Sequence, residues 1–216
     1  MQIKSIRLLI ADDHPLIRAG LPIMLEGSGI EIVGVLGSAE ATEAQYADIK
    51  PDVILMDVRM PDDDGLLALD KIRAQSPDTK VVMFSAWDNM TFVARAVALG
   101  ALDYVLKSCA REDLIMAIKN AAAGVDEPVG KEYKRIQMLM SRIKRMEPVD
   151  GTRLSPRELQ VATNIALGLS NREIGFSMGI SVETVKEHVQ NVLRKIPATD
   201  RTAAAVWVIK QGLMDI

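Results

Sequence analysis

Two hydrophobic spacings alternate along the first 125 residues. Short unbroken apolar runs at Ile6–Ile10, Glu31–Leu36, Val53–Met56, Lys80–Phe84 and Leu102–Leu106 are rich in Val, Ile and Leu and read as buried strands. Between them, His14–Glu26, Ala39–Ala47, Gly65–Gln75, Asn89–Leu99 and Arg111–Ala123 carry apolar residues at helical spacing. Strands that alternate with helices form crossover units, so the sheet is expected to be parallel and covered on both faces. The expectation for residues 1–125 is a five-stranded, doubly wound α/β domain of flavodoxin-like type.

The pattern changes after residue 125. Asp126-Glu127-Pro128 opens a segment that Glu147-Pro148-Val149-Asp150-Gly151 closes, which is the punctuation of a linker. Inside it, Ile136, Leu139, Met140, Ile143 and Met146 recur at helical spacing, so residues 126–150 are expected to be a partly helical linker. Residues 151–216 show no strand pattern and read as a small all-α domain. Ser155-Pro156-Arg157-Glu158 and Ser170-Asn171-Arg172-Glu173 are capping boxes, the first with Pro at the opening helical position. Ser181 precedes a helix to about Lys195, and a last helix is expected over Arg201–Gln211.

Overall charge hides a division. The chain has a net charge of −3, but residues 1–125 carry −6, residues 126–150 carry +1 and residues 151–216 carry +2. The acidic front and mildly basic back suit different partners. Cys109 is the only cysteine, so no internal disulfide forms, as expected in a reducing cytosol. The apolar run Ile6–Ala11 ends in two aspartates, unlike a signal peptide, and no run approaches the ~18 residues that span a bilayer. A cytoplasmic protein with no membrane association is expected.

The candidate chemistry stands at the strand ends, where open parallel sheets bind ligands. The first strand ends in Asp12-Asp13, the third in Asp57, the fourth in Ser85 and the fifth in Lys107. Clustered carboxylates repel unless a cation intervenes. An all-oxygen ligand set favours Mg²⁺ over zinc. With that charge neutralised, a carboxylate can act as nucleophile toward phosphorus and form an acyl phosphate. Lys107 supplies a cation for a phosphate oxygen, and Ser85 a hydroxyl that can turn toward the new group. The competing structural role is helix capping, which Asp12 or Asp13 alone could serve.

The helix Ser181–Lys195 places Val182, Val185, Val189, Val192, Leu193 and Ile196 in one stripe, opposite Glu183, Glu187, Gln190, Asn191 and Arg194. A shorter helix ends before it at Gly179. This is helix-turn-helix spacing, in which the polar face of the second helix reads base edges. Thr184, Arg194 and Lys195 suit phosphates. The alternative is a solvated face in a small bundle.

These residues carry a resemblance. Leu8-Leu9-Ile10-Ala11-Asp12-Asp13, Leu55-Met56-Asp57-Val58-Arg59-Met60-Pro61, Ser85-Ala86 and Tyr104-Val105-Leu106-Lys107 resemble the receiver domain of bacterial response regulators. Leu154-Ser155-Pro156-Arg157-Glu158, Gly168-Leu169-Ser170-Asn171-Arg172-Glu173-Ile174 and Val182 through Val189 are similar to the LuxR-type domain, so the chain looks like the NarL/FixJ class. The resemblance implies that Asp57 accepts a phosphoryl group from a histidine kinase. It also implies that Asp13, Asp57 and the backbone carbonyl of Arg59 ligate Mg²⁺, with Asp12 acting through a bound water, and that Tyr104 turns inward when Ser85 moves. For DNA it implies base contacts by Lys186, Glu187 and Gln190 and a homodimer through the last helix. Two departures stand out: Ile196-Pro197-Ala198-Thr199-Asp200 replaces the usual Leu-Gly pair, and Phe176-Ser177 replaces the commoner Ala-Arg type.

Two other functions share these features. A hydrolase using Asp57 as nucleophile would be similar to haloacid-dehalogenase-type phosphatases, which carry a second Asp two residues on as general acid; Arg59 stands there, so no enzyme is expected. A constitutive DNA binder would need no complete pocket. His14 and His188 are expected to lie outside any metal cluster.

Overall fold

The computed structural model describes residues 5–60, 63–143 and 154–214. They fall into two compact units, Met1–Lys134 and Arg135–Ile216, whose boundary lies within the stretch expected to be linker. Each unit is described separately.

The first unit is built on five parallel strands: β1 (Ile6–Ala11), β2 (Ile30–Leu36), β3 (Val53–Asp57), β6 (Val81–Ser85) and β7 (Asp103–Leu106), in the order β2-β1-β3-β6-β7. A two-stranded antiparallel ribbon, β4 (Arg59–Met60) and β5 (Asp63–Asp64), directly follows the third strand of that sheet. The spacing of hydrophobic residues did not anticipate this ribbon, because two residues are too few to show a period. Every residue of β3 and β6 is buried, as a central parallel strand covered on both faces requires. Alternation sorts their side chains. Leu8, Ile10, Val53, Leu55, Val82, Phe84 and Val105 pack in one core with α1 (Pro15–Leu25) and α5 (Arg111–Ala123). Leu9, Ile54, Met56 and Met83 alternate with them and are fully buried on the other face. There α2 (Ala39–Ile49) packs on α3 (Gly65–Gln75), and α3 on α4 (Met90–Ala98).

Local chemistry sets the helix starts. Ser38, Asp64 and Asn89 accept backbone N–H bonds as N-caps of α2, α3 and α4, and α1 begins on Pro15. Gly124, at φ 69°, closes α5 in the left-handed region. Helix α6 (Lys131–Ile143) forms where the linker periodicity predicts one, and Tyr133, Ile136, Met140 and Ile143 are buried. Leu139 is half-buried, and Met146 lies outside the described residues.

In the second unit, α7 (Pro156–Ala166) and α8 (Asn171–Met178) both start with complete capping boxes, from Ser155 with Glu158 and Ser170 with Glu173. Ser181 caps α9 (Val182–Lys195), and Asp200 caps α10 (Arg201–Lys210). Helix α9 packs on α7 and α8, while α10 packs mainly on α7. The turn between α8 and α9 depends on two glycines. Gly179 has a φ of 66°, and a Cβ on Gly175 would lie 2.8 Å from the Ile180 carbonyl oxygen. Gly175→Ala must push that backbone away, so it should cost about 1–3 kcal/mol. Urea unfolding followed by Trp207 fluorescence in a Trp87→Phe background measures this, and an unchanged midpoint would contradict the packing.

Candidate functional site

The register of the sheet assembles the acidic site. Ala11 pairs with Met56 and Asp57 with Phe84, so Asp12, Asp57 and Ser85 emerge at one edge. Ser85 pairs with Leu106, which brings Lys107 to the same place. Asp12 and Asp57 are almost wholly buried, and Asp13 is half-buried. The Lys107 ammonium lies 2.7 Å from Oδ2 of both Asp57 and Asp12. Its backbone N–H donates to the Ser85 carbonyl at 2.7 Å, which ties β7 to the end of β6.

Burial pushes the Asp57 carboxyl up from the usual aspartate range, the nearby Asp12 adds to this, and Lys107 opposes it. For Lys107, burial works against the charge, but its hydrogen bonds to Asp12 and Asp57 outweigh it and hold the ammonium above its ordinary value. Two carboxylates face one lysine, and a third, Asp13, lies beside them. Among the described residues, the buried Asp12 Oδ2 and Asp13 Oδ1 have no partner besides the Lys107 ammonium at 2.7 Å and His14 Nδ1 at 2.8 Å respectively. Ligand atoms of Asp12, Asp13, His14 and Asp57 all lie within 4.8 Å of one another. Carboxylate oxygens gathered so closely fit a hard divalent cation.

His14 departs from the sequence expectation. Its Nδ1 is 2.8 Å from Asp13 Oδ1, 3.5 Å from Asp12 Oδ1 and 3.8 Å from Asp57 Oδ2. The residue was expected to lie outside any metal cluster; it stands at the start of α1, but its ring also joins the carboxylates. Asp12 does not cap the helix, since α1 starts after His14 without a side-chain cap; its Oδ1 instead accepts the His14 N–H at 2.9 Å and braces the loop. Sequence reasoning missed two supports. The Arg18 guanidinium donates to the carbonyls of Asp12 and Asp13 at 2.9 and 2.6 Å and holds the loop from one turn into α1. Gly65 opens α3 so close to the acceptor that a Cβ would lie 1.9 Å from the Asp57 carbonyl oxygen. The capping Asp64 before it was the only available signal.

Arg59 donates its backbone N–H to Asp57 Oδ1 at 3.2 Å, while its side chain is exposed. Ser85 and Tyr104 meet at Trp87. The Tyr104 hydroxyl donates to the Trp87 carbonyl at 2.8 Å, and Ser85 Oγ accepts the Trp87 N–H at 3.0 Å. The Tyr104 ring is therefore already inside, and burial pushes its hydroxyl up to about 12.

On α9, Lys186, Glu187, Gln190 and Arg194 are exposed, opposite the buried Val185 and Val192. Thr184 is half-buried, its hydroxyl 2.9 Å from Ser181 Oγ. Lys195 has an internal partner as well as an outward position, because its ammonium lies 2.7 Å from Glu158 Oε2 at the start of α7.

A family of response regulator receiver domains matches residues 8–119, and the luxR family of bacterial regulatory proteins matches residues 152–208. The chain belongs to the response regulators with a LuxR-type DNA-binding domain. It is a DNA-binding transcriptional regulator, as the residues had indicated. It is 34% identical to the transcriptional regulatory protein YxjL of Bacillus subtilis over 215 residues, covering 97% of this chain and 98% of that protein. It is also 34% identical to the response regulator VraR of Staphylococcus aureus over 211 residues, covering 97% and 99%. Among solved structures, the response regulator ChrA of a heme-sensing two-component system is 29% identical, with a TM-score of 0.53 over 98% of this chain and 100% of that chain. Among the described residues, no helix is long and apolar enough to cross a membrane.

The ion pair of Glu158 gives a pH test. Burial alone would raise this carboxyl, but the hydrogen bonds from Lys195 and Ser155 hold it below its ordinary value of 4.5. Its contribution is therefore fully present above that value and is lost as pH falls through the lower folded-state value. Lys195→Met should lower the urea midpoint of the second unit at pH 7, and the difference from wild type should shrink below about pH 4.5. A difference that stays constant down to pH 3 would disprove the assignment.

Proposed function

We propose that this response regulator is switched by phosphorylation of Asp57 from a cognate histidine kinase in the cytoplasm, and that the switch controls its binding to a double-stranded DNA operator. The observation that carries the proposal is the burial of Asp57 between Asp12 and Lys107 at the carboxyl edge of the sheet. An Asp57 oxygen bonds to phosphorus as the donor's phosphorus–nitrogen bond breaks, and the electron pair stays on the donor imidazole. Lys107 holds one oxygen of the transferred group. The Ser85 hydroxyl turns toward another, and Tyr104 fixes the loop through the Trp87 carbonyl.

Asp13, Asp57 and the Arg59 carbonyl would hold Mg²⁺, with Asp12 acting through a bound water. The ion would neutralise charge on the transferring group. His14, 60% exposed, can swing away from the carboxylates to admit it. Asp57 is a switch group and not a turnover nucleophile, since Arg59 occupies the position where a general acid would be needed.

On DNA, Lys186, Glu187 and Gln190 would face base edges, with Glu187 accepting from cytosine, while Thr184, Arg194 and Lys195 contact phosphates. Exposed Val206 and Ile209 on α10 give a homodimer its apolar contact. A net charge of +2 in the DNA-binding residues makes nonspecific affinity weak and dimerisation necessary.

Two measurements test this. Acetyl phosphate with Mg²⁺ should shift the wild-type protein on a Phos-tag gel and leave Asp57→Asn unshifted. An equal shift in both would remove Asp57 from the mechanism. Arg194→Ala should reduce the slope of log affinity against log salt by about 0.9, the loss of one phosphate contact. Gln190→Ala should keep the slope but cost about 1–3 kcal/mol on the preferred sequence.

A further inference from the structure

Asp103 is a buried carboxylate that the phosphoryl chemistry does not use. It opens β7 at 2% exposure. Its Oδ2 accepts the Val129 N–H at 2.6 Å, and its Oδ1 accepts the N–H groups of Gly130 and Tyr104 at 3.1 and 2.8 Å. One side chain thus binds the segment leading into α6 to the strand that carries Tyr104 and runs into Lys107.

Two further features make this a fitted joint. A Cβ on Gly130 would lie 2.1 Å from the Tyr104 carbonyl oxygen and 2.8 Å from Asp103 Oδ1, so only glycine allows so close an approach. Three residues on, the buried Tyr133 donates its hydroxyl to the Ala101 carbonyl. Residues 101, 103 and 104 therefore hold residues 129, 130 and 133. A cavity of about 330 Å³ lies beside the joint, lined by Tyr104, Leu106, Cys109, Asp113, Val129 and Lys131.

A flexible tether would transmit nothing from the receiver except local concentration. Here the tether is clamped at its start and becomes helical at Lys131 without a break to Ile143. A clamped helix transmits the position of its anchor. The anchor is the strand whose far end reports on Asp57 through Lys107.

We propose that Asp103, Gly130 and Tyr133 form a coupling joint that converts the state of β7 into the placement of α6, and so carries phosphorylation to the DNA-binding domain. The proposal rests on the phosphorylation-gated reading above. Asp103 is a positioning residue in this scheme. Hydrogen bonds to three backbone N–H groups make the clamp stiff, and loss of one acceptor leaves buried donors unsatisfied.

The test uses the full chain and a DNA fragment selected from a random pool by phosphorylated wild-type protein. Phosphorylation by acetyl phosphate with Mg²⁺ is read on Phos-tag gels, and DNA affinity is read by anisotropy with and without the phosphodonor. Wild type should show an affinity ratio of about 5- to 150-fold, the usual span of allosteric coupling. Gly130→Ala, Asp103→Asn and the milder Tyr133→Phe should keep wild-type phosphorylation while the ratio falls to within about twofold of unity. Tyr133→Phe removes one hydroxyl and carries the test if the other variants misfold. A ratio that persists in Tyr133→Phe and in the folded members of the other two overturns the joint and leaves the gating intact. A wild-type ratio of one overturns the gating, and the joint falls with it. Lost phosphorylation in folded variants would show that the joint acts on the acceptor site, which also overturns the coupling role.

Discussion

The structure of the first unit turns on one cation held between two buried carboxylates. Lys107 stands 2.7 Å from both Asp12 and Asp57, and each of the three arrives on a different strand. Without the lysine, two carboxylates with little access to water would face each other, and one would take up a proton. Lys107 opposes that tendency at Asp57 through its hydrogen bond and its charge. The strand order follows from the same requirement: β3 lies between β1 and β6, and β7 lies beside β6, so the end of each strand supplies one member of the cluster.

This cluster was legible in the sequence because it depends on strand ends. A fully buried parallel strand is an unbroken apolar run, so its last residue can be located by where polarity returns. Asp12, Asp57, Ser85 and Lys107 were all found that way. The capping boxes at Ser155 and Ser170 were legible for a similar reason, since each motif lies within four consecutive residues. The groups that were missed act across the fold. His14 reaches Asp57 over 43 positions only because the loop after β1 turns back, and no local period encodes that. Gly65 reads as an ordinary helix start until its distance from the Asp57 carbonyl is known. Asp103 looks like any polar residue opening a strand, yet its partners lie 26 and 27 positions further on.

Position on a helix also proved a weaker guide than contact. On periodicity alone Lys195 and Arg194 are equivalent outward cations near the end of α9. In the structure Lys195 closes back on Glu158, the same residue that completes the capping box of α7. One carboxylate therefore serves the start of α7 and the end of α9, and a cation near the C-terminus of α9 also suits the helix dipole there. Arg194 is the cleaner candidate for a phosphate contact.

The charge distribution constrains how such a switch can work. The receiver carries −6 before modification, and phosphorylation adds roughly −1.5 to −2 more. Direct electrostatics would therefore weaken DNA binding, so an activating signal cannot consist of charge attraction by the receiver. Screening limits the repulsion as well, because exposed charges beyond about 8 Å interact little at physiological salt. A signal that is neither attractive nor long-ranged has to travel through geometry. It needs an element fixed to the receiver at one end and continuous with the rest of the chain at the other. On the receiver side, α6 has such a fixed end. Its start is held by Asp103 and Tyr133, and its exposed Lys131, Lys134, Arg135 and Arg142 make the connecting segment the place where the negative charge of the receiver gives way to positive charge.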